Sequence, residues 1–437
     1  MRLHLLLALL LAAPALAQSA LSREVERHAA SVEAKVVGWR RDLHAHPELS
    51  NQETRTAQVV AEHLRRLGLE VRTGVGGTGV VGVLRGARPG PVVALRADMD
   101  ALPVTEEVDL PFKSTVRTQY NGQEVGVMHA CGHDTHVAML MGAAEVLASM
   151  RATLPGTVKF IFQPAEEASG TGPGGALAML RDGVLENPAP SAIFGLHVFS
   201  GYRTGEVDYR PGGVMASSDG LSIVVRGSQT HGAMPWAGVD PIVVASQIVL
   251  GLQTVVSRQV DLTASPAIVT IGSITGGVRG NIIPDTVTMS GTIRTFDQGM
   301  RQQIHERVRR VAEGIAQSAG ATAEVKISLG NGVTQNDPAL VERMRPTVRR
   351  VAGKGMVTGQ STTTSEDFSA FQARIPGVFL FLGVTPEGKD LKQAAPNHSP
   401  RFFVDERALP VGVRLLSNLA VDYLEGTKGQ EPTAKPR

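Results

Sequence analysis

The segment HVAMLMGAAEVLASM (136–150), followed after five residues by GTVKFIFQ (156–163), decides the fold of this chain. The first stretch carries apolar residues at helical spacing, and the second is short and apolar, as in a buried strand. Further strands are predicted at PVVALRA (91–97) and SAIFGL (191–196), with a helix at 176–183. Strands and helices that alternate in this way predict an α/β fold with an open, mostly parallel sheet.

The same pattern flanks a stretch with a different order of elements. Helices are predicted at 22–44 and 54–67 before it, and a helix at 338–352, a strand at 377–384 and a helix at 406–425 follow it. Within 216–328 the predicted order is β-α-β-β-α-β, which is the ferredoxin-like unit. We therefore predict a main domain formed by 22–215 and 329–426, with 216–328 inserted into it.

Composition and charge exclude several classes of partner. The chain has 437 residues, of which 42% are hydrophobic and 19% charged, and its formal net charge is +2. This near-neutral balance, without a basic stripe, gives no reason to expect nucleic acid or an anionic membrane as partner. A single cysteine, Cys131, excludes an internal disulfide.

The N-terminus predicts export. Residues 1–19 read MRLHLLLALLLAAPALAQS, a short positive start followed by an apolar run and Ala15-Leu16-Ala17. This pattern is typical of a secretory signal peptide at 1–17, and it places the mature protein in the periplasm or outside the cell. The alternative is a stable membrane anchor, but the run is too short to span a bilayer and Pro14 interrupts it.

One glycine-rich motif resembles a dinucleotide-binding fingerprint. Gly74-x-Gly76-x-x-Gly79 has the required spacing, but the residues after it, VVGVL, predict a strand. The fingerprint needs a helix N-terminus there to hold phosphate. We interpret the motif as a hairpin turn.

Side chains that bind metals or transfer protons follow the predicted strands. They occur at the ends of the strands or in the loops beyond them: Asp98, Asp100, Cys131, His133, Glu166, Glu167, His197 and His398. Taken singly, each has an ordinary structural explanation, such as a turn former or a solvated pair. In an open parallel sheet, however, ligands gather outside the carboxyl ends of the strands. The recurrence predicts a metal centre.

The tripeptide Cys131-Gly132-His133 is the strongest single indication of that centre. Glycine lets the backbone turn so that both neighbours face one point. The helix predicted to follow brings its positive end near the sulfur, which lowers the pKa of the thiol. Thiolate can bridge two transition-metal ions.

The chain resembles the amidohydrolase branch of the M20 metallopeptidases, which includes hippurate hydrolases, N-acyl-amino-acid hydrolases and indole-acetyl-amino-acid hydrolases. The resemblance extends over nearly the whole mature chain. It is carried by RRDLHAHPELS (40–50), ALRADMDALPVTE (94–106), MHACGHDTH (128–136), VKFIFQPAEE (158–167), GLHVF (195–199), THGAMPW (230–236), GVDPI (238–242), NIIPD (281–285), SEDF (365–368) and NHSPRFFVDE (397–406).

The resemblance implies a role for each matching residue. Cys131 corresponds to the ligand that bridges two divalent ions. His133 and His197 complete one site, and Glu167 and His398 the other. Manganese is the first expectation for the metal, with zinc, nickel or cobalt as alternatives.

The remaining roles concern proton transfer and the substrate. Glu166 resembles the general base and Asp100 a residue that orients the metal site. His231 resembles a histidine that reaches across a homodimer to polarise the scissile carbonyl, which makes the inserted domain a lid and a dimerisation domain. Asn281 and Arg294 are the candidates for holding the substrate carboxylate, although Arg294 also fits an ordinary surface strand position.

The implied activity is metal-dependent hydrolysis of the amide bond of N-acyl amino acids, by activated water with Glu166 as base. Two alternatives stay open at this point. One is an exported metallo-carboxypeptidase or dipeptidase that shares fold and metals. The other is a non-catalytic exported protein that binds acylated amino acids in the same cleft.

Overall fold

A computed structural model describes residues 19–168 and 174–426. The predicted signal peptide at 1–17 lies outside the described residues. The helices within them are α1 (Ala20–Ala45), α2 (Thr54–Arg66), α3 (His133–Ser149), α4 (Gly175–Arg181), α5 (Pro241–Gln259), α6 (Gln298–Ser318), α7 (Pro338–Ala352), α8 (Ser369–Gln372) and α9 (Leu409–Gly426).

The strands follow the predicted alternation. In chain order they are β1 (Glu70–Val75), β2 (Gly79–Arg85), β3 (Arg88–Asp98), β4 (Arg117–Tyr120), β5 (Gln123–Gly126), β6 (Pro155–Gln163), β7 (Ala192–Arg203), β8 (Val207–Asp208), β9 (Gly212–Met215), β10 (Asp219–Arg226), β11 (Thr230–His231), β12 (Ala267–Gly276), β13 (Ile282–Ile283), β14 (Thr286–Thr295), β15 (Thr322–Leu329), β16 (Thr334–Asn336), β17 (Met356–Val357) and β18 (Gly377–Thr385).

The main sheet is the predicted α/β sheet. Its strand order is β1-β2-β6-β3-β7-β18-β8-β17, and the four central strands β6, β3, β7 and β18 run parallel. Strands β1 and β2 form the antiparallel hairpin that the glycine-rich motif predicted, with Gly74, Gly76 and Gly77 in left-handed conformation. The motif is therefore a turn and not a dinucleotide site.

The pleat of the central strands gives the main sheet two different faces. On one face, Val93, Leu95 and Ala97 of β3 join a large core formed with α1, α3 and α9. On the other face, β18 contributes Phe379 and Phe381 to a smaller core with α4 and α8. Because side chains alternate along a strand, Arg96 and His197 point to this second face, where the polar site forms.

The second sheet has the order β12-β14-β10-β15, and all its pairs are antiparallel. Numbered along the chain as strands one to four, this is the order 2-3-1-4 of a ferredoxin-like sheet. Helices α5 and α6 cover one face and share a core with it. The division of the chain into domains at 215/216 and 328/329 stays a prediction.

Helix α5 is the one helix of the described ranges with the length and apolar composition to cross a membrane. Its buried residues include Val244, Ile248, Leu252 and Val255, a stripe at helical spacing that packs into the core of the second sheet.

Two element boundaries differ from prediction. Helix α3 begins at His133, three residues before the predicted start at 136, because Gly132 is the left-handed residue from which the helix starts. Strand β7 continues to Arg203, well beyond the predicted end at 196, since it pairs with β18 up to Arg203, which lies opposite Thr385.

Candidate metal centre

The five predicted metal ligands converge at the carboxyl ends of the central strands. Cys131 Sγ lies 3.4 Å from His197 Nε2, and His398 Nε2 lies 3.1 Å from Glu167 Oε1. His133 Nε2 is 3.9 Å from the same glutamate oxygen, and ligand atoms of Cys131, His133 and Glu167 all lie within 4.8 Å of one another. The donors therefore form one continuous group.

The hydrogen bonds of the histidines separate ligands from supports. His197 Nδ1 lies 2.7 Å from the carbonyl oxygen of Val198, so it is the donor and Nε2 keeps its lone pair towards Cys131. His136 uses both nitrogens, with Nδ1 2.5 Å from Asp98 Oδ1 and Nε2 accepting the Val198 N–H at 2.8 Å. His136 is therefore a support, although its ring contacts that of His197.

The donor set fits divalent metal ions. Within the described residues, both ring nitrogens of His133 and Oε1 of Glu167 are buried without a well-aligned hydrogen bond, although Nδ1 of His133 lies 3.3 Å from Asp100 and Oε1 of Glu167 lies 3.1 Å from His398. A buried polar atom without a partner is costly, and a bound cation removes that cost. Sulfur, imidazole and carboxylate together suit transition metals.

Electrostatics supports the same conclusion. Burial alone would lower the pKa of His133, but the carboxylates of Asp98, Asp100 and Glu167 raise it to about 10. The pKa of the Cys131 thiol is raised well above its ordinary value by burial first and then by Glu167 and Glu166. The expected lowering by the start of α3 is thus wrong for the protein without ions, because desolvation and carboxylates outweigh it. Cations would reverse the balance.

Asp100 has the orienting position that the sequence predicted. Its two carboxylate oxygens accept the backbone N–H groups of Glu166 at 3.1 Å and Glu167 at 2.9 Å. Oδ2 also accepts the hydroxyl of Ser50 at 2.6 Å, and Oδ1 lies 3.3 Å from Nδ1 of His133. One carboxylate thereby fixes the backbone of the candidate base and contacts a candidate metal-ligand histidine.

Glu166 lies beside the ligands with its carboxylate directed at a second acidic group. Its Oε1 accepts the backbone N–H of Asp367 at 3.4 Å, and carboxylate oxygens of Glu166, Glu366 and Asp367 lie within 4.8 Å of one another. Burial first, and then the charges of Glu366 and Glu167, raise the pKa of Glu166 well above its usual range. A raised pKa makes a carboxylate a stronger base, and bound cations would oppose the rise here as they would for Cys131.

Sequence reasoning missed the charged residue behind this group. Arg96 is buried and donates to Asp98 at 2.6 Å, to Glu366 at 2.8 Å and to Asp367 at 3.1 Å. Its Nε donates to the side chain of Gln163 at 2.9 Å. The available signal was an arginine inside the apolar run PVVALRA, where a charge requires partners.

The three other predicted site residues lie on the second sheet and its adjoining ribbon. His231 and Asn281 are exposed neighbours, because β11 pairs with β13 and the Gly232 N–H donates to the carbonyl of Asn281 at 2.8 Å. Arg294 is half-buried on β14, where Nε donates to Thr292 at 3.2 Å. The structure thus groups His231 with Asn281, on a ribbon that contributes none of the five proposed metal donors.

The turn at Gly132 provides a direct test of the geometry. Gly132 has φ of 88°, and a Cβ there would lie 2.4 Å from Cγ2 of Val198. We expect Gly132→Ala to lower the free energy of unfolding by about 1–3 kcal/mol and to weaken metal binding. Denaturation and metal analysis measure both effects.

Gly122→Ala is the matched control for that substitution, because Gly122 also has positive φ, at 77°, but no atom within 4 Å of the added Cβ. It isolates the backbone strain from the clash with Val198. Equal losses in the two variants, with metal binding intact in both, would contradict the prediction.

Comparison with known proteins places the chain in a family. The profile of the Peptidase family M20/M25/M40 matches residues 94–422. Thermostable carboxypeptidase 1 of Saccharolobus solfataricus is 41% identical over 90% of this chain and 96% of its own length. N-acetylcysteine deacetylase of Bacillus subtilis is 40% identical over 90% of this chain and 98% of its own length.

A solved structure from Bacillus subtilis, described as a dinuclear metal-binding peptidase of the M20 family, is 38% identical to this chain. It superposes with a TM-score of 0.76 over 91% of this chain and 99% of its own. The chain is therefore a hydrolase that belongs to the M20/M25/M40 peptidase family.

Proposed function

We propose that this protein hydrolyses the amide bond of N-acyl amino acids, with two divalent ions held by Cys131, His133, Glu167, His197 and His398. The observation that carries the proposal is the convergence of these five donors beside Glu166, whose carboxylate is not needed as a ligand. When bound, such ions lower the pKa of water and polarise a carbonyl.

In this proposal Glu166 is the group that moves the proton. Its carboxylate takes a proton from the attacking water and later delivers it to the departing nitrogen. Burial and the neighbouring carboxylates, which raise its pKa, strengthen it as a base. Asp100 and the Asp367 N–H hold its backbone and side chain, so that little reorganisation accompanies the transfer.

Arg294 supports an amino-acid carboxylate as the part of the substrate that is recognised. Its guanidinium is half-buried on the polar face of β14, and burial lowers its pKa although the charge of Asp219 opposes this. A partly desolvated guanidinium is stabilised by a carboxylate whose two oxygens accept hydrogen bonds from two of its N–H groups. Asn281 and His231, which lie together on the neighbouring ribbon, are the proposed contacts to the scissile amide.

The proposal includes a homodimer in which His231 serves the partner's site. The inserted unit exposes large apolar side chains on α5 and the adjacent loops, including Leu250 at 72% and Trp236 at 79% exposure. Exposed apolar surface of this kind is typical of an interface between copies.

Leu250→Glu is expected to convert the dimer to a monomer and to reduce turnover, because His231 would lose the partner's site. Light scattering after gel filtration measures the mass. Leu177→Glu is the control, since Leu177 is 62% exposed but lies on α4, a helix that packs against the main sheet and not on the inserted unit. A wild-type monomer, or a dimer that survives Leu250→Glu, would contradict the prediction.

Two further parts of the proposal concern the metal and the compartment. Manganese is proposed as the native ion, and zinc, nickel or cobalt would suit the same mixed donors. The apolar N-terminal segment 1–17 supports export to the periplasm or the medium. Analysis of metal in purified protein and fractionation of cells test these two parts.

A second candidate activity is carboxypeptidase or dipeptidase action, which the name of a 41% identical relative favours. The deciding experiment compares N-acetyl and N-benzoyl amino acids with dipeptides that have a free amino group, each assayed with manganese and with zinc. Faster turnover of the acylated substrates supports the proposal, and faster turnover of dipeptides overturns it. Tight binding of both without turnover would identify a binding protein instead.

A further inference from the structure

Two buried carboxylates hold the backbone of the catalytic loop at three consecutive residues. The N–H of Ala165 donates to Glu53 Oε1 at 2.8 Å, and those of Glu166 and Glu167 donate to Asp100 at 3.1 and 2.9 Å. Ala165 has φ of 52°, in the left-handed region that non-glycine residues seldom adopt. The conformation that aims the proton carrier and a metal ligand therefore depends on these contacts.

The side chain of Glu53 contacts the catalytic loop and does not cap the adjacent helix. Glu53 directly precedes α2, yet its side chain makes no cap hydrogen bond. Glu48 caps the helix instead, accepting the backbone N–H groups of Arg55 at 2.9 Å and Thr56 at 2.8 Å. The side chain of Glu53, which has no exposed surface, is thereby free to turn towards the catalytic loop.

The remaining contacts of Glu53 fix its carboxylate from the other side. Oε1 also accepts the backbone N–H of Asn51 at 3.0 Å, and Oε2 contacts the hydroxyl of Thr78 at 2.5 Å. Thr78 belongs to the glycine-rich turn between β1 and β2. That turn thus contributes to the support of the catalytic loop.

We propose that Glu53 is a positioning residue that holds Ala165 in its left-handed conformation and so aims Glu166 and Glu167 at the metal pair. The inference rests on the proposed roles of those two glutamates. Without the carboxylate, the buried Ala165 N–H would lose its acceptor, and the loop would relax to another conformation. Such a shift moves the proton carrier and a metal ligand together.

Glutamine at position 53 is expected to preserve the contacts of Glu53 with Asn51, Ala165 and Thr78. In glutamine, the amide oxygen accepts the N–H groups of Asn51 and Ala165, and the amide nitrogen donates to the hydroxyl of Thr78. Burial, with the charge of Asp100, raises the pKa of Glu53 to about 7, so its protonated form makes the same three hydrogen bonds. The geometry requires the hydrogen bonds and not the charge.

The test compares Glu53→Ala with Glu53→Gln in the full chain. We expect Glu53→Ala to lower kcat about 10- to 100-fold, with KM within about threefold, and to weaken manganese binding by a similar factor, measured with a competing chelator. Glu53→Gln should keep both values within about threefold of the wild type. Glu48→Ala is the matched control, and it should lower Tm without changing kcat or manganese binding.

Three outcomes would overturn the inference. One is a folded Glu53→Ala protein with unchanged kcat and manganese binding, and another is a Glu53→Gln protein as damaged as Glu53→Ala. If Glu53→Ala does not fold, Glu53→Asp takes its place, because its shorter side chain keeps the acid but cannot reach the Ala165 N–H. Normal kcat and manganese binding in Glu53→Asp would be the third outcome against the inference. Failure of the wild type on every N-acyl amino acid would reject the proposed function alone, since manganese binding still tests Glu53.

Discussion

Glu166→Ala is expected to lose nearly all turnover while the protein keeps its metal ions. Glu166 is not among the five donors, and its backbone position is fixed by Asp100 and not by its own side chain. If the proposed roles are right, removal of this carboxylate removes the proton carrier and leaves the five proposed ligands intact. A positioned acid–base group contributes about 10²–10⁴-fold, so kcat should fall by at least that order.

The adjacent residue provides the contrast for this experiment. Glu167 Oε1 lies close to both His398 and His133, so Glu167→Ala should lose bound metal as well as activity. Metal analysis of the two purified variants, together with kcat on an N-acyl amino acid, separates the roles. Full activity with metal bound in both variants would show that the assignment is wrong.

Arg96→Met is expected to be the most destabilising substitution in the main sheet. The guanidinium is buried and donates to three carboxylates, those of Asp98, Glu366 and Asp367. Removal of one partner from a buried ionic group leaves uncompensated charges and typically costs about 3–5 kcal/mol. Urea denaturation should show a loss of that size in the free energy of unfolding.

The loss in Arg96→Met should also depend on pH. Burial already raises the pKa of Asp367 to about 8, despite the opposing charge of Arg96, and removal of that charge raises the pKa further. A carboxyl with a raised pKa in the folded state contributes stability at low pH and loses it as pH rises through that pKa. Because the carboxyl of the wild type titrates near pH 8 and that of the variant at higher pH, the deficit of the variant should grow as pH rises above about 8, and it should be larger at pH 9 than at pH 6.

Arg85→Met is the matched control for this substitution. Arg85 lies on β2 of the same sheet, but its ion pair with Glu70 is exposed, and exposed pairs contribute little. The free energy of unfolding should be nearly unchanged in this variant. If both arginine substitutions have the same small effect, the buried network does not stabilise the fold as argued.

Local sequence patterns specify most of the elements and the edge of the sheet at which the site forms. Helix α3 follows from apolar residues at helical spacing, strand β6 from a short apolar run, and the hairpin at 74–79 from its glycines, and each of these signals acts over a few residues. Parallel strands place their carboxyl ends at one edge of the sheet, and this rule predicts from the sequence that Cys131, Glu167 and His398 lie close together, as they do.

The tertiary structure alone decided what each polar group does there. Whether a histidine can serve as a ligand or as a support depends on its partners: both nitrogens of His136 are occupied, by Asp98 and Val198, whereas Nε2 of His133 has no well-aligned hydrogen bond. Burial first, and then the carboxylates of Glu167 and Glu166, which are remote in sequence but close in space, raise the pKa of Cys131 against the effect of the helix end. Arg96 meets Glu366, and Glu53 meets Ala165, across 270 and 112 positions of the chain. Local patterns carry no information about such contacts, because only the packing of the folded chain brings these groups together.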